Sequence, residues 1–223
     1  MCANLSSVIW RDEHGRRLDD YPQPSVAVDV ALLTLDQDGR LAVVVHARPG
    51  AHEHGRPALP GTFLRVDRRE TLREAALRAL RDKVNVTGRE PRQLAVFDDP
   101  DRDPRGRVLS VAHVDLVPPD RITGTTGVLA PVGPLPHPLA YDHERVVAAA
   151  IDHVRAAYRR LPDPAGLAGA EFTLLELQQV HEAVLGEPLQ KDTFRRHTAP
   201  DLVETGRVRA GTVGKPARTF RRR

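Results

Sequence analysis

The 223 residues carry a net charge of +3, with 40% apolar and 28% charged side chains, the composition of a folded globular protein rather than a disordered one. No run approaches the roughly 18 apolar residues of a membrane span, and the start lacks a basic segment followed by an apolar stretch, so no secretion signal is expected. The one cysteine, Cys2, leaves no internal disulfide and no Cys/His zinc cluster, and a cytoplasmic setting is expected.

In chain order, residues 7–20 read as a short hairpin around a Glu-His-Gly turn. Two β-rich runs, 26–35 and 41–47, flank an Asp-Gly turn signal. "AHEHGRPALPGTF" reads as loop, and an amphipathic helix follows over 70–84 with Leu72, Ala76, Leu77 and Leu80 as its apolar stripe. "RQLAVFDD" and "VLSVAHVDLV" predict two more strands, separated by the loop "PDRDPRGR". After a Gly/Pro-rich stretch (124–138), "DHERVVAAAIDHVRAAYRRL" has helical spacing and stops at Pro162. "PDPAGLAG" is the best linker candidate. Beyond it, "FTLLELQQVHEAVLG" predicts a helix with Thr173 as N-cap, Glu176 completing a capping box and Gly186 as stop.

The end of the chain is basic. Residues 191–223 hold ten Lys/Arg against three acids, whereas residues 1–190 hold 23 against 27. Such asymmetry suits an anionic partner, nucleic acid above all, although a solvated basic tail has the same composition. "KDTFRRHTA" predicts a short second helix, which with the one before it fits a helix-turn-helix. Two basic strand-like pieces around a Gly-rich tip then read as a wing. In such a module the second helix, with Lys191, Thr193, Arg195 and Arg196, enters the major groove, and Arg207, Arg209, Lys215 and Arg218 of the wing meet phosphates. Phe194 reads as the buried anchor of that helix.

The segment from "ALPGTF" to "VNVTG" resembles the Nudix box. Glu70 fits its first glutamate, Arg78 follows after the required seven residues, and Leu80 and Val86 fit its aliphatic positions. Asp82 stands for one glutamate of the late pair, while Ala79 and Lys83 replace two others and Asn85 replaces a glycine. Mg²⁺ needs several converging oxygen ligands, and carboxylates at 79, 82 and 83 would share one helix face. One carboxylate beside a lysine does not make that site, so the resemblance implies the fold without its metal or its catalysis. On periodicity alone, 70–84 is also an ordinary amphipathic helix.

Together, the impaired box and the basic winged helix resemble the Nudix-related transcriptional regulators of NAD metabolism. "DPDRDPRGRVLSVAHVDLV" and "PLAYDHERVV" extend the likeness. The resemblance implies an α/β Nudix-like domain (1–161, including the hairpin), a linker (162–170) and an α+β winged helix domain (171–223). It implies a homodimeric repressor on a palindromic operator, requiring no cofactor, with ADP-ribose or a related NAD-derived nucleotide as effector. A diphosphate calls for positive charge, which makes Arg48, Arg102, Arg105 and Arg107, with Asp101, the candidate effector residues. The loop carrying the last four also reads as a solvated, charge-balanced surface. An active nucleotide-diphosphate-sugar pyrophosphohydrolase is the alternative, and a protein-interaction module the third class.

Overall fold

In the strand β1 (Ser25–Leu35), Val28, Val30 and Leu32 point to one side and Ala31 and Leu33 to the other, and all five are fully buried. Both faces of that strand must therefore be covered, which requires a layer of helix on each side. The computed structural model, which describes residues 10–50, 52–133, 138–210 and 216–223, has that arrangement.

The remaining strands of the large sheet are β2 (Leu41–Ala47), β3 (Pro57–Ala58), β4 (Gly61–Phe63), β5 (Arg92–Phe97), β6 (Val108–Leu116) and β7 (Val128–Pro131). Their order is β3-β2-β1-β6-β5, with β4 paired to β1 and β7 to β2. β1 and β6 run parallel and the other pairs antiparallel.

Helix α1 (Leu72–Val84) covers the Val28 face through Ala75, Ala76, Ala79, Leu80 and Val84. Its start is fixed by a capping box in which the Thr71 hydroxyl accepts from Glu74 N–H (3.2 Å) and the Glu74 carboxylate accepts from Thr71 N–H (2.8 Å). The predicted apolar stripe is turned slightly: Leu72 and Leu77 are only half-buried, and the three alanines bring the helix close against the sheet.

Helix α2 (His143–Tyr158) covers the Ala31 face through Val146, Val147, Ala150 and Val154. The same apolar cluster takes in Val180, Val184 and Leu185 of α3 (Leu174–Leu185), so the C-terminal unit shares a core with the sheet domain. That unit continues with α4 (Lys191–Thr198) and a small sheet in the order β8 (Phe172–Thr173), β10 (Ala217–Arg222), β9 (Leu202–Arg209). As predicted, Thr173 caps α3 with Glu176, and Gly186 ends it in the left-handed conformation (φ 76°).

The segment expected as a linker is fastened at Asp163, which is completely buried. Its carboxylate accepts from the Tyr158 hydroxyl (2.7 Å), from Leu167 and Ala168 N–H (2.8 and 2.9 Å) and from Arg222 (2.5 Å). Its own N–H donates to His181 Nε2 (3.3 Å), whose ring lies edge-on to both Tyr158 and Phe194 at 5.0 Å. Two short strands, β3 and β4, lie in the stretch read as loop, and β7 lies in the Gly/Pro-rich stretch 124–138. Of the predicted N-terminal hairpin, residues 10–20 form a turn closed by Asp12 N–H to Arg16 O (2.9 Å), with no strand among the described residues.

Burial lowers the His181 imidazole from 6.5 to about 4, against the opposing pull of Asp163. Between those values the unfolded chain takes up a proton that the folded chain refuses. The stability this group contributes is therefore present above pH 6.5 and falls as the pH drops toward 4. His46 and His113, also lowered by burial, add slope of the same sign. Urea unfolding across this window should show a shallower pH dependence in His181→Gln than in the wild type, and identical slopes would refute the assignment.

Candidate functional site

Two features stand where chemistry is expected: the box helix with the cavity beside it, and the basic face of the C-terminal unit. In the box, Glu70 and Arg78 form a nearly buried bidentate pair, Nε to Oε1 at 2.6 Å and Nη2 to Oε2 at 2.8 Å. Arg78 also donates to Thr62 Oγ1 (2.7 Å) and Phe63 O (2.9 Å), and Glu70 accepts from Arg65 N–H (2.9 Å). The Arg78 guanidinium above all holds the Glu70 carboxyl at about 2. This pair ties the loop after β4 onto α1, a structural clamp in which three of the four acceptor sites of the Glu70 carboxylate are taken.

Of the other acids here, Glu74 closes the cap, while Asp82 lies on the surface in an exposed pair with Arg81 (2.8 Å), away from the cavity. Ala79 is buried in the apolar cluster under β1. Among the described residues no group of three or more His, Cys, Asp or Glu side chains is placed to hold a metal. The residues present do not fit the divalent ion that the Nudix resemblance would call for.

Beside the box lies a cavity of about 290 Å³, walled by β1, β4, the end of β2, the last turn of α1, the 102–105 loop and the start of α2. Its floor is Asp29, whose carboxylate accepts from Ser110 Oγ (2.5 Å) and faces His143 Nε2 (3.5 Å) and Arg102 (3.6 Å). Burial works against ionisation there, but His143, Ser110 and Arg102 outweigh it and hold the carboxyl at about 2. His143 Nδ1 accepts from Leu59 N–H (3.0 Å), which leaves Nε2 to carry the proton toward Asp29. Gly61 must be glycine, because a Cβ there would collide with the Asp29 carboxylate.

At the rim, the Arg48 and Arg105 guanidiniums lie 4.7 and 5.5 Å from the centre of the Tyr141 ring. Arg105 is oriented by Asp103 (2.7 Å). The Tyr141 hydroxyl is buried without a hydrogen-bond partner among the described residues, unusual for a group that costs free energy when left unpaired.

The structure thus brings three of the predicted effector residues, Arg48, Arg102 and Arg105, to one cavity. Arg102 is largely spent on Asp142 (2.6 and 3.1 Å). Arg107 and Asp101 do not line the cavity: Arg107 donates to Asp98 O (2.6 Å), and Asp101 edges a separate depression with Asp99 and Glu53. Sequence reading missed Asp29, His46, Lys83, Tyr141 and His143 as cavity walls. Within "PLAYDHERVV" it is the Tyr-Asp-His core that reaches this site, Tyr141 and His143 in its wall and Asp142 bonded to Arg102.

In the C-terminal unit, Lys191, Thr193, Arg195 and Arg196 are all exposed on α4, while Phe194 is buried against His181 as expected. Thr193 N–H is capped by Gln190 Oε1 (2.6 Å). The wing arginines have partners: Arg207 meets Glu171 (3.2 Å), Arg209 meets Glu176 (2.6 Å) and Arg218 meets Glu204 (3.3 Å). Exposed pairs of this kind are worth little, so exchange for a phosphate costs little. Lys215 lies outside the described residues.

The family described as NrtR DNA-binding winged helix domain matches residues 164–222. The crystal structure of Shewanella oneidensis NrtR superimposes with a TM-score of 0.74 at 29% identity, over 89% of this chain and 94% of that one. Residues 164–222 thus carry the NrtR-type winged helix domain, and the chain as a whole is similar to NrtR-type regulators.

An ADPR responsive transcriptional repressor, NtrR, from Acinetobacter baylyi is 29% identical over 213 residues, 91% of this chain and 83% of the relative. An ADP-ribose pyrophosphatase from Methanocaldococcus jannaschii is 31% identical over 131 residues, 57% of this chain and 73% of the relative. The Shewanella regulator has also been solved with a 27mer DNA (TM-score 0.73, 29% identity, 89% and 93% covered). Its Nudix domain alone has been solved with ADP ribose (TM-score 0.55, 25% identity, 63% and 95% covered).

Replacing Gly61 with Ala forces β4 away from β1 or displaces Asp29 from its partners. The NrtR-type fold should lose about 1–3 kcal/mol in urea unfolding, and an unchanged midpoint would show that the cavity floor is not close-packed.

Proposed function

We propose that this chain is a DNA-binding transcriptional repressor of NAD biosynthesis or salvage genes, whose Nudix-like domain senses ADP-ribose or a related NAD-derived nucleotide. The observation that carries the reading is the conjunction of a positively charged cavity large enough for a diphosphate and an adjoining sugar, without a cluster of metal-binding carboxylates among the described residues, with a basic helix-turn-helix in one chain. The repressor from Acinetobacter and the Shewanella complexes with DNA and ADP ribose support both halves of it.

On this reading residues 1–161 sense, 162–170 connect and 171–223 bind DNA. Lys191, Thr193, Arg195 and Arg196 reach base edges and phosphates in the major groove, and the wing arginines with Lys215 grip the backbone. Two copies, acting as a homodimer in the cytoplasm, would read the two halves of a palindromic operator. Helix α2 supplies the physical route between the sites. Its first turn contacts the cavity floor through His143, and its last residue, Tyr158, is bonded to Asp163 and packed on His181. A ligand that prefers one arrangement of α2 shifts the population of DNA-competent chains by its differential affinity.

The pyrophosphohydrolase reading has the Methanocaldococcus relative in its favour. Against it stand the commitment of Glu70 and Glu74 to partners of their own and the replacement of two ligand positions by Ala79 and Lys83. ADP-ribose incubated with the protein and Mg²⁺ or Mn²⁺ should remain intact; steady release of AMP would establish the enzyme instead.

Gel shifts on promoters of NAD-synthesis genes should show sequence-specific binding that weakens steeply with salt. The double variant Arg195→Glu, Arg196→Glu should abolish the shift while leaving the circular dichroism unchanged. Wild-type affinity in that variant would remove α4 from the interface and sink the repressor assignment.

A further inference from the structure

The cavity that replaces the metal site is not neutral. Of the thirteen residues of α1, Lys83 alone lines it. Lys83 stands at the box position where a ligating glutamate belongs, and among the described residues its ammonium has no carboxylate within ion-pairing distance. Arg48 likewise has no acidic partner among the described residues; its Nε donates only to His52 O (3.3 Å) while its guanidinium rests on Tyr141. The two acids of the wall are already engaged, Asp29 by Ser110, His143 and Arg102, and Asp103 by Arg105.

With its histidines neutral, Arg48, Lys83, Arg102 and Arg105 stand against Asp29, Asp103 and Asp142, the last bonded to Arg102 just behind the wall, an excess of one positive charge in which Arg48 and Lys83 are the two cations without an acidic partner among the described residues. The diphosphate bridge of a nucleoside-diphosphate sugar carries two negative charges. A divalent cation, by contrast, would enter a site of its own sign with no free carboxylate to receive it. At about 290 Å³ the cavity stands at the small end of ligand sites, enough for a diphosphate and an adjoining sugar. The unpaired Tyr141 hydroxyl at its edge adds a polar group awaiting a partner.

We propose that Lys83, with Arg48, takes the place of the divalent ion, so that this site binds the diphosphate of its nucleotide ligand without metal. A fixed ammonium neutralises the phosphates in the bound state. It has no exchangeable water to activate and leaves the phosphorus–oxygen bridge intact, which is what a sensor requires. The proposal rests on the effector reading above and adds how charge is balanced at the site.

Isothermal titration of the full chain with ADP-ribose tests it, once in a chelating buffer and once in excess Mg²⁺. The wild type should bind equally well in both. Lys83→Met should bind more weakly by about tenfold or more, the loss expected for one charge-assisted contact, and Lys83→Arg should restore most of it. Lys83→Glu should bind poorly in chelator and in Mg²⁺ alike, because one added carboxylate does not make a metal site. Wild-type binding that requires Mg²⁺ would overturn the proposal and leave the effector reading standing. Undiminished binding by folded Lys83→Met in chelator would do the same. Failure of the wild type to bind ADP-ribose under either condition would instead overturn the effector reading, and the proposal with it. Matching thermal melts establish that each variant folds, and the metal dependence of the wild type decides the matter even if Lys83→Met does not.

Discussion

Asp163 is a fully buried carboxylate that touches every part of the junction between the two functional units. Tyr158 brings the end of α2 to it, Leu167 and Ala168 the connecting turn, Arg222 the last strand, and His181 the helix beneath α4. A buried charge persists only when its lone pairs are filled, so these segments are held in one arrangement or the carboxylate is exposed. With its other end against Asp29 and Arg102 through His143 and Asp142, α2 becomes a rod of about 24 Å between cavity and junction. Movement at one end has few ways to be absorbed before it reaches the other.

The box helix illustrates how a fold outlives its chemistry. The Glu70–Arg78 clamp requires only the spacing of two residues and a neighbouring loop, and it still fastens β4 to α1. Metal binding requires several carboxylates at one spot, and a few replacements are enough to invert the charge there. Ala79 retires into the core, Lys83 turns the cavity positive, and Asp82 is left at the surface. The pocket keeps its walls because they are made by the sheet and the start of α2, elements whose packing does not depend on what the box carries.

Much of this was legible in the sequence because it is local. The 3.6-residue spacing of apolar side chains located α1, α2 and α3, and Thr173, Glu176 and Gly186 marked the ends of α3. The spacing of Glu70 and Arg78 marked the box but not the clamp these two residues form, and the helix pair with its basic strand-like pieces marked the winged unit. What escaped is made by distant parts of the chain. β3, β4 and β7 are too short for an alternation to show, and exist because β1 and β2 offer them edges. Asp29, Lys83 and Tyr141 are brought together only by the sheet and the helix packed on it. The segment 162–169 looked like a linker by composition, and nothing local announces that Asp163 gathers donors from Tyr158 and Arg222. Arg107 had the charge for a phosphate and Asp101 the polarity for a ribose, but the loop that carries them turns both away from the cavity.

The central claim is that the cavity and α4 belong to one coupled system rather than to two independent domains. Thermodynamic reciprocity tests this most directly. The affinity of the chain for operator DNA is measured with and without saturating ADP-ribose, and its affinity for ADP-ribose is measured with and without DNA. The account predicts that each ligand changes the other's affinity by the same factor, on the order of fivefold or more. Two binding constants that ignore each other, with both ligands bound, would contradict it.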